Sequence, residues 1–368
     1  MDLSIEELME ELVRGGGSDL HLSCGLPPYG RFAGTLRPLR RDPLPREQCH
    51  RLIFSLLSSS QRKRLDRSCE LDCAYGQRGV ARFRVNVYRE KGSYAACLRA
   101  LGDRIPSLQS LALPSVMREI TRRPHGLVVV TGPSGSGKTT TLAALLDHIN
   151  RERAKHILTI EDPIEFVHRP VRSVIHQRQL GEDTHSFANA LRAALREDPD
   201  VILVGEMRDL DTMGLAITAA ETGHLVLTSL HTASAVQAVD RIVDVFPAGQ
   251  QSQVRLQLSN SLQAVFAQAL CRRHNPRPDQ CDRVMVQEIL INTPAIANLI
   301  RTGKTAQIHS QLQTGGQQGM QTLERAIADR VNDGTIAVAE GMGHTGRPEE
   351  LQRLLRPTAD LASGGRHG

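Results

Sequence analysis

The chain has 368 residues, of which 40% are apolar and 23% charged, with a formal net charge of +5. This is ordinary make-up for a globular protein of two or three domains. Aromatic residues are only 3% and Trp is absent, which argues against base-stacking platforms, and so mild a charge does not argue for nucleic acid. No run of 18 apolar residues occurs, so no membrane-spanning helix is expected. The N-terminus, Met1-Asp2-Leu3-Ser4-Ile5-Glu6-Glu7, is unlike a signal peptide. The 7 cysteines are scattered without a paired C-x-x-C pattern, which fits reduced thiols rather than a disulfide framework or a four-cysteine zinc site.

In chain order, Ile5 to Arg14 has a helical pattern that stops at Gly15-Gly16-Gly17. Asp19–Leu22 and Tyr29–Phe32 read as short strands about the turn Leu26-Pro27-Pro28. One helix is expected over Leu52 to Leu65. Ala81 to Tyr88 alternates as a strand should, with Tyr94 to Leu98 as its hairpin partner. Arg82 and Arg84 then share a strand face. These elements form an α/β domain over about residues 1–110, closed by a linker from Ile105-Pro106-Ser107 to Pro114. A second domain, 111–340, alternates strands at 127–131, 156–160, 201–204 and 225–229 with helices at 139–150, 186–195 and 211–220. This pattern predicts a parallel sheet covered on both faces. Beyond about 235 the chain reads as mainly helical, with a helical subregion at about 250–340. Thr293-Pro294 starts one helix as N-cap and first-turn proline. From 341 to 368 a polar, mobile tail is expected, with a short helix at 348–355.

The most specific motif is Gly132-Pro133-Ser134-Gly135-Ser136-Gly137-Lys138-Thr139, followed by Thr140. It fits G-x-x-x-x-G-K-[ST] between a strand and a helix, as a phosphate-cradling P-loop requires. Its backbone N–H groups and the helix N-terminus face phosphates, Lys138 reaches the β/γ-phosphates and Thr139 ligates Mg²⁺. The expected ligands are therefore ATP and Mg²⁺. Val201 to Val204 is an apolar strand leading to Gly205-Glu206, which puts Glu206 near Mg²⁺ and the attacking water. A second acidic cluster, Glu161-Asp162 with Glu165, follows the apolar strand Ile157-Leu158, and is either a charged loop or a set of carboxylates that polarise water or hold Mg²⁺. A third apolar strand runs from Gly223-His224 to His231-Thr232, and His231 lies where a side chain can report the γ-phosphate. Arg82, Arg84, Arg89 and Arg99 stud the last strands of the first domain. They are either a solvated face or arginines directed at a nucleotide.

Taken together, these residues resemble the secretion-superfamily, GspE-like P-loop ATPases, and within them the PilT-type retraction ATPases of type IV pili. Ser18-Asp19-Leu20-His21-Leu22 with Gly25-Leu26-Pro27-Pro28 matches the N-terminal signature. Thr159 to His168 matches the Asp box, Arg196-Glu197-Asp198-Pro199-Asp200 to Asp209 the Walker B region, and Thr222 to Thr232 the His box. Ala295-Ile296-Ala297-Asn298-Leu299-Ile300-Arg301 resembles the retraction motif AIRNLIRE, with Ala297 for its Arg and Thr302 for its Glu. The extra N-terminal domain and four-cysteine loop of the assembly ATPases are not expected here, which favours retraction over assembly.

The resemblance implies an α/β fold with a PAS-like N-terminal domain and a RecA-like ATPase domain, nucleotide between the two, and a homohexameric motor for pilus retraction and twitching. Glu206 would be the general base or water-orienting acid, Glu161 its Asp-box partner, His231 a nucleotide sensor, and Arg84 and Arg99 phosphate contacts. Implied partners are an inner-membrane pilus platform protein and a second retraction ATPase, without nucleic acid, in a cytoplasmic protein peripheral at the inner membrane. An accessory retraction paralogue, a pilus-assembly or type II secretion ATPase, a ring that does not hydrolyse ATP, and a DNA-translocating motor remain as alternatives at this point.

Overall fold

The computed structural model describes residues 3–77, 79–102, 105–277 and 281–356. They divide into two units, one comprising Met1–Ile105 with Asp162–Val167, the other Pro106–Glu161 with His168–Gly368.

The first unit begins with α1 (Ile5–Arg14), whose Ser4 forms a capping box with Glu7. There follow β1 (Gly17–Ser23), β2 (Tyr29–Phe32), β3 (Thr35–Pro38), α2 (Arg46–Ser55), α3 (Ser59–Ser68), β4 (Glu70–Gln77), β5 (Ala81–Glu90) and β6 (Ser93–Leu101). The strands form one antiparallel sheet in the order β3-β2-β1-β6-β5-β4, a PAS-like arrangement extended by β3. Phe83, Val85 and Val87 of β5 are buried with Leu8 and Leu12 of α1 and Leu52 and Ile53 of α2. The alternate residues Arg82, Arg84 and Asn86 therefore lie on the other face. The expected helix over 52–65 is in fact two helices, because Ser58 caps α3 through the Gln61 N–H and breaks the run. β3 and β4 escaped the sequence reading. All four residues of β3 are exposed, so no apolar alternation marks it.

Arg84 faces Arg99 across β5 and β6, and Arg99 faces Asp19 across β6 and β1. Arg99 Nε donates to Asp19 Oδ1 at 2.8 Å. Burial pushes the Asp19 carboxyl upward, but hydrogen bonds from Ser18 and Arg99 and the nearby guanidinium outweigh it and hold the group below its ordinary value. Arg84 Nε lies 3.9 Å from Asp72 Oδ1, both half-exposed. Arg82 Nε donates to the Ile164 carbonyl at 2.8 Å.

The second unit comprises α4 (Ser115–Ile120), β7 (Gly126–Thr131), α5 (Lys138–Glu152), β8 (His156–Glu161), β9 (Val174–Gln179), α6 (Phe187–Ala194), β10 (Val201–Val204), α7 (Leu210–Glu221), β11 (Leu225–Leu230), α8 (Ala235–Asp244), α9 (Ala248–Ser261), β12 (Leu262–Arg272), β13 (Arg283–Ile291), α10 (Pro294–Arg301), α11 (Ile308–Thr314), α12 (Leu323–Asn332), α13 (Val338–His344) and α14 (Pro348–Leu354). Its seven strands run β13-β12-β7-β11-β10-β8-β9, all parallel except β13, in a RecA-like order. Leu127, Val129, Ile202 and Val204 face one apolar layer, and Val128, Val130, Leu203 and Leu227 the other. Burial on both faces is why these strands read as continuous apolar runs.

After 235 the chain is mainly helical, from α8 to α14, but it also holds two long strands that the sequence pattern did not announce: β12 and β13 add an antiparallel pair to the sheet edge. β12 is buried at nearly every position, so it lacks the alternation that distinguishes a strand from a helix. Thr293 caps α10 by accepting from the Ile296 N–H, and Ile296, Leu299 and Ile300 form its buried stripe. Leu351 of α14 is buried against α12. The rest of the expected tail, 357–368, lies outside the described residues. No helix among the described residues is long and apolar enough to cross a membrane.

Candidate functional site

Parallel register brings four loops to one edge of the large sheet. Thr131 at the end of β7 pairs with Leu230 at the end of β11. Val204 at the end of β10 pairs with Thr228 of β11 and Ile160 of β8. The P-loop leaves β7, His231 follows β11, Glu206 follows β10, and Glu161 ends β8, so all four emerge at the carboxyl edge, where parallel sheets place ligands. His224 immediately precedes β11 and therefore sits about 20 Å away at the opposite edge. Its Nδ1 lies 2.9 Å from the Ala219 carbonyl oxygen, an anchor for the turn after α7.

Within the P-loop, residues 132–139, Gly137 is the N-cap of α5, and Lys138 and Thr139 begin the helix. Gly132 is required by close packing: a Cβ there would meet the Gln268 carbonyl oxygen at 2.3 Å. Lys138 is 8% exposed. Its ammonium donates to the carbonyls of Gly132 at 2.9 Å and Pro133 at 3.1 Å, and lies 3.4 Å from His231 Nδ1. Thr139 and Thr140, on the first turn of α5, are half-buried. The Ser136 hydroxyl is buried with no hydrogen-bond partner among the described residues.

Glu206 is half-buried between two cationic or potentially cationic groups. Arg208 Nη2 is 2.7 Å from Oε2, and His231 Nε2 is 3.2 Å from Oε1. Burial pushes its pKa up, but the Arg208 hydrogen bond and charge, with His231 and Lys138, bring it below the ordinary value. Glu206 is thus ionised at neutral pH. The series Lys138, His231, Glu206, Arg208 is continuous, with each neighbouring pair within 3.4 Å. The turn carrying His231 is tied down by Thr232, whose N–H donates to Thr131 Oγ1 at 2.9 Å. Glu161 is buried beside this edge. Its Oε1 accepts from Thr159 Oγ1 at 2.6 Å and Gln177 Nε2 at 3.1 Å.

The second unit therefore brings together Gly132 to Thr140, Glu161, Glu206 and His231. Arg84 and Arg99 belong to the first unit, where they carry the ion pairs with Asp72 and Asp19. The oxygen donors Thr139 and Glu206 match what Mg²⁺ takes from proteins.

Gln268 is a residue the sequence reading missed. From β12 its Nε2 donates to the Ser136 carbonyl at 2.7 Å, and its Oε1 accepts from Thr141 Oγ1 at 3.1 Å. It braces the P-loop against the sheet. The available signal was a lone amide in the apolar run Ala264 to Leu270. Gln268→Ala leaves the Ser136 carbonyl and Thr141 hydroxyl without this partner, which costs about 1–3 kcal/mol. Thermal unfolding is expected to move to lower temperature, and the KM for ATP to rise several-fold. Unchanged values of both would remove the bracing role.

A family model described as type II/IV secretion system protein matches residues 107–343. The chain is 48% identical over 335 residues to the type IV pilus retraction ATPase PilT of Pseudomonas aeruginosa, covering 91% of this chain and 96% of that one. It is 50% identical over 310 residues to a twitching motility protein of Neisseria gonorrhoeae, covering 84% and 82% of the two chains. The crystal structure of a pilus retraction motor PilT with bound ADP superimposes with a TM-score of 0.88 at 45% identity, covering 95% of this chain and 99% of that one.

Proposed function

We propose, from the premise that this chain belongs to the type II/IV secretion system protein family, that it is an ATP-hydrolysing motor that retracts type IV pili. The observation that carries this reading is the convergence of Lys138, His231 and Glu206 at the sheet edge beside the P-loop. Extended similarity to PilT and to a twitching motility protein supports it.

The P-loop residues Gly132 to Thr140 bind the nucleotide, with backbone N–H groups and the α5 N-terminus facing its phosphates. Thr139 and Glu206 are assigned to hold Mg²⁺. The ion supplies charge neutralisation at the β/γ-phosphates. Glu206, an ionised carboxylate with a lowered pKa, is a weak proton acceptor and is best suited to orienting the attacking water by hydrogen bond. Glu161 is assigned as the second carboxylate of the site. His231 stands between Lys138 and Glu206. When Lys138 turns toward a phosphate it leaves His231, so the imidazole can transmit nucleotide occupancy to Glu206. Arg84 and Arg99 are assigned as phosphate contacts.

A homohexamer is the proposed assembly, acting on an inner-membrane platform protein, alone or with a second retraction ATPase. The protein would be cytoplasmic and peripheral at the membrane. Mg²⁺ is the proposed metal. For motion to follow, nucleotide must bind one state of the motor better than another. Purified chain is expected to release phosphate from ATP steadily and to have the mass of six subunits in native mass spectrometry. A monomer that releases no phosphate would overturn the reading.

A further inference from the structure

Away from the P-loop, three side chains with metal-ligand chemistry meet where α13 packs on β12. Cys271 is the penultimate residue of β12 and is fully buried, while Glu340 and His344 are four apart on α13 and half-buried. One ligand atom from each, the Cys271 thiol, a Glu340 carboxylate oxygen and a His344 ring nitrogen, lie within 4.8 Å of one another. We propose that Cys271, Glu340 and His344 form a zinc site that clamps α13 to β12, with water as the fourth ligand.

The distances support a tetrahedral centre. Ligand atoms about 2.0–2.3 Å from a tetrahedral Zn²⁺ stand roughly 3.3–3.7 Å apart. His344 Nε2 and Glu340 Oε1 are already 3.2 Å apart, so the thiol has roughly 1 Å to close. The Arg272 N–H donates to Glu340 Oε1 at 2.7 Å and fixes the carboxylate. On its other side α13 is held against α12, where Gly341 allows a close approach: a Cβ there would meet Ile327 Cγ2 at 2.7 Å.

Binding expels the Cys271 thiol proton to solvent, and the resulting thiolate and the Glu340 carboxylate balance the metal's two positive charges.

The test uses the full chain with Mg²⁺ and ADP present, so that the P-loop does not report. After loading with Zn²⁺ and desalting, elemental analysis should find one zinc per chain. Co²⁺ in its place should give the near-ultraviolet thiolate-to-cobalt absorption and intense tetrahedral visible bands. Cys271→Ser and His344→Gln should each weaken binding at least about tenfold, since loss of an outer-shell partner alone costs about 10–100-fold. Cys281→Ser, at an exposed cysteine of the same segment, should leave it unchanged. A wild-type chain that retains no zinc, a cobalt complex without the thiolate band, or equal retention by the Cys271 and His344 variants would overturn the proposal. The cobalt spectrum of the wild-type chain decides even if a variant fails to fold.

Discussion

Glu206→Gln is expected to bind ATP about as well as the parent chain and to lose roughly 10²-fold or more of its turnover, the scale on which misplacement at the reacting centre slows a reaction. The substitution keeps the size and a hydrogen-bonding tip, so the contact with Arg208 at 2.7 Å can persist through the amide oxygen. What disappears is the negative charge that Arg208, His231 and Lys138 stabilise. A neutral amide cannot polarise water or hold Mg²⁺ as a carboxylate does. Single-turnover phosphate release and a fluorescent-nucleotide titration separate the two effects. Turnover near that of the parent would remove Glu206 from its assigned role.

Lys138→Ala has the opposite signature, since its loss falls on binding itself. The ammonium is buried among P-loop carbonyls, 2.9 and 3.1 Å away, and is held at the mouth of the cradle. Hydrogen bonds to charged groups contribute about 1.5–3 kcal/mol, so nucleotide affinity should fall by about 10–100-fold. Removing the ammonium also takes away one of the charges that hold the Glu206 pKa down, and it frees His231 of its contact at 3.4 Å. Equilibrium titration with ATP and ADP checks this, and unchanged affinity would contradict the phosphate-binding assignment.

The P-loop was legible because its glycines, Lys138 and Thr139 lie next to each other in sequence, between a strand and a helix that the apolar pattern announces. Glu206 and His231 were legible because each lies within two residues of the end of an apolar strand, and parallel register carries strand ends to one edge. Gln268 was not, because it contacts Ser136 across more than a hundred residues and sits in β12, whose burial hides its strand period. The same burial concealed β13 and led to a helical reading of that region. In the first unit, the face shared by Arg82 and Arg84 followed from alternation, but the pairing of Arg84 with Arg99 depends on hairpin register, which is set by the turn at Lys91-Gly92. The break between α2 and α3 turns on one serine cap, a local competitor that apolar spacing does not register.

Pilus retraction is the activity proposed for this chain. α10 keeps its capped start and its buried stripe, while Ala297 and Thr302 stand where the resembling motif has charged residues. The direct test is to delete this chain from the bacterium that encodes it and to measure surface pili and twitching together. Abundant pili with no twitching, restored by the parent chain and not by Glu206→Gln, is the predicted result. Cells without pili would contradict it and would make the chain an assembly motor.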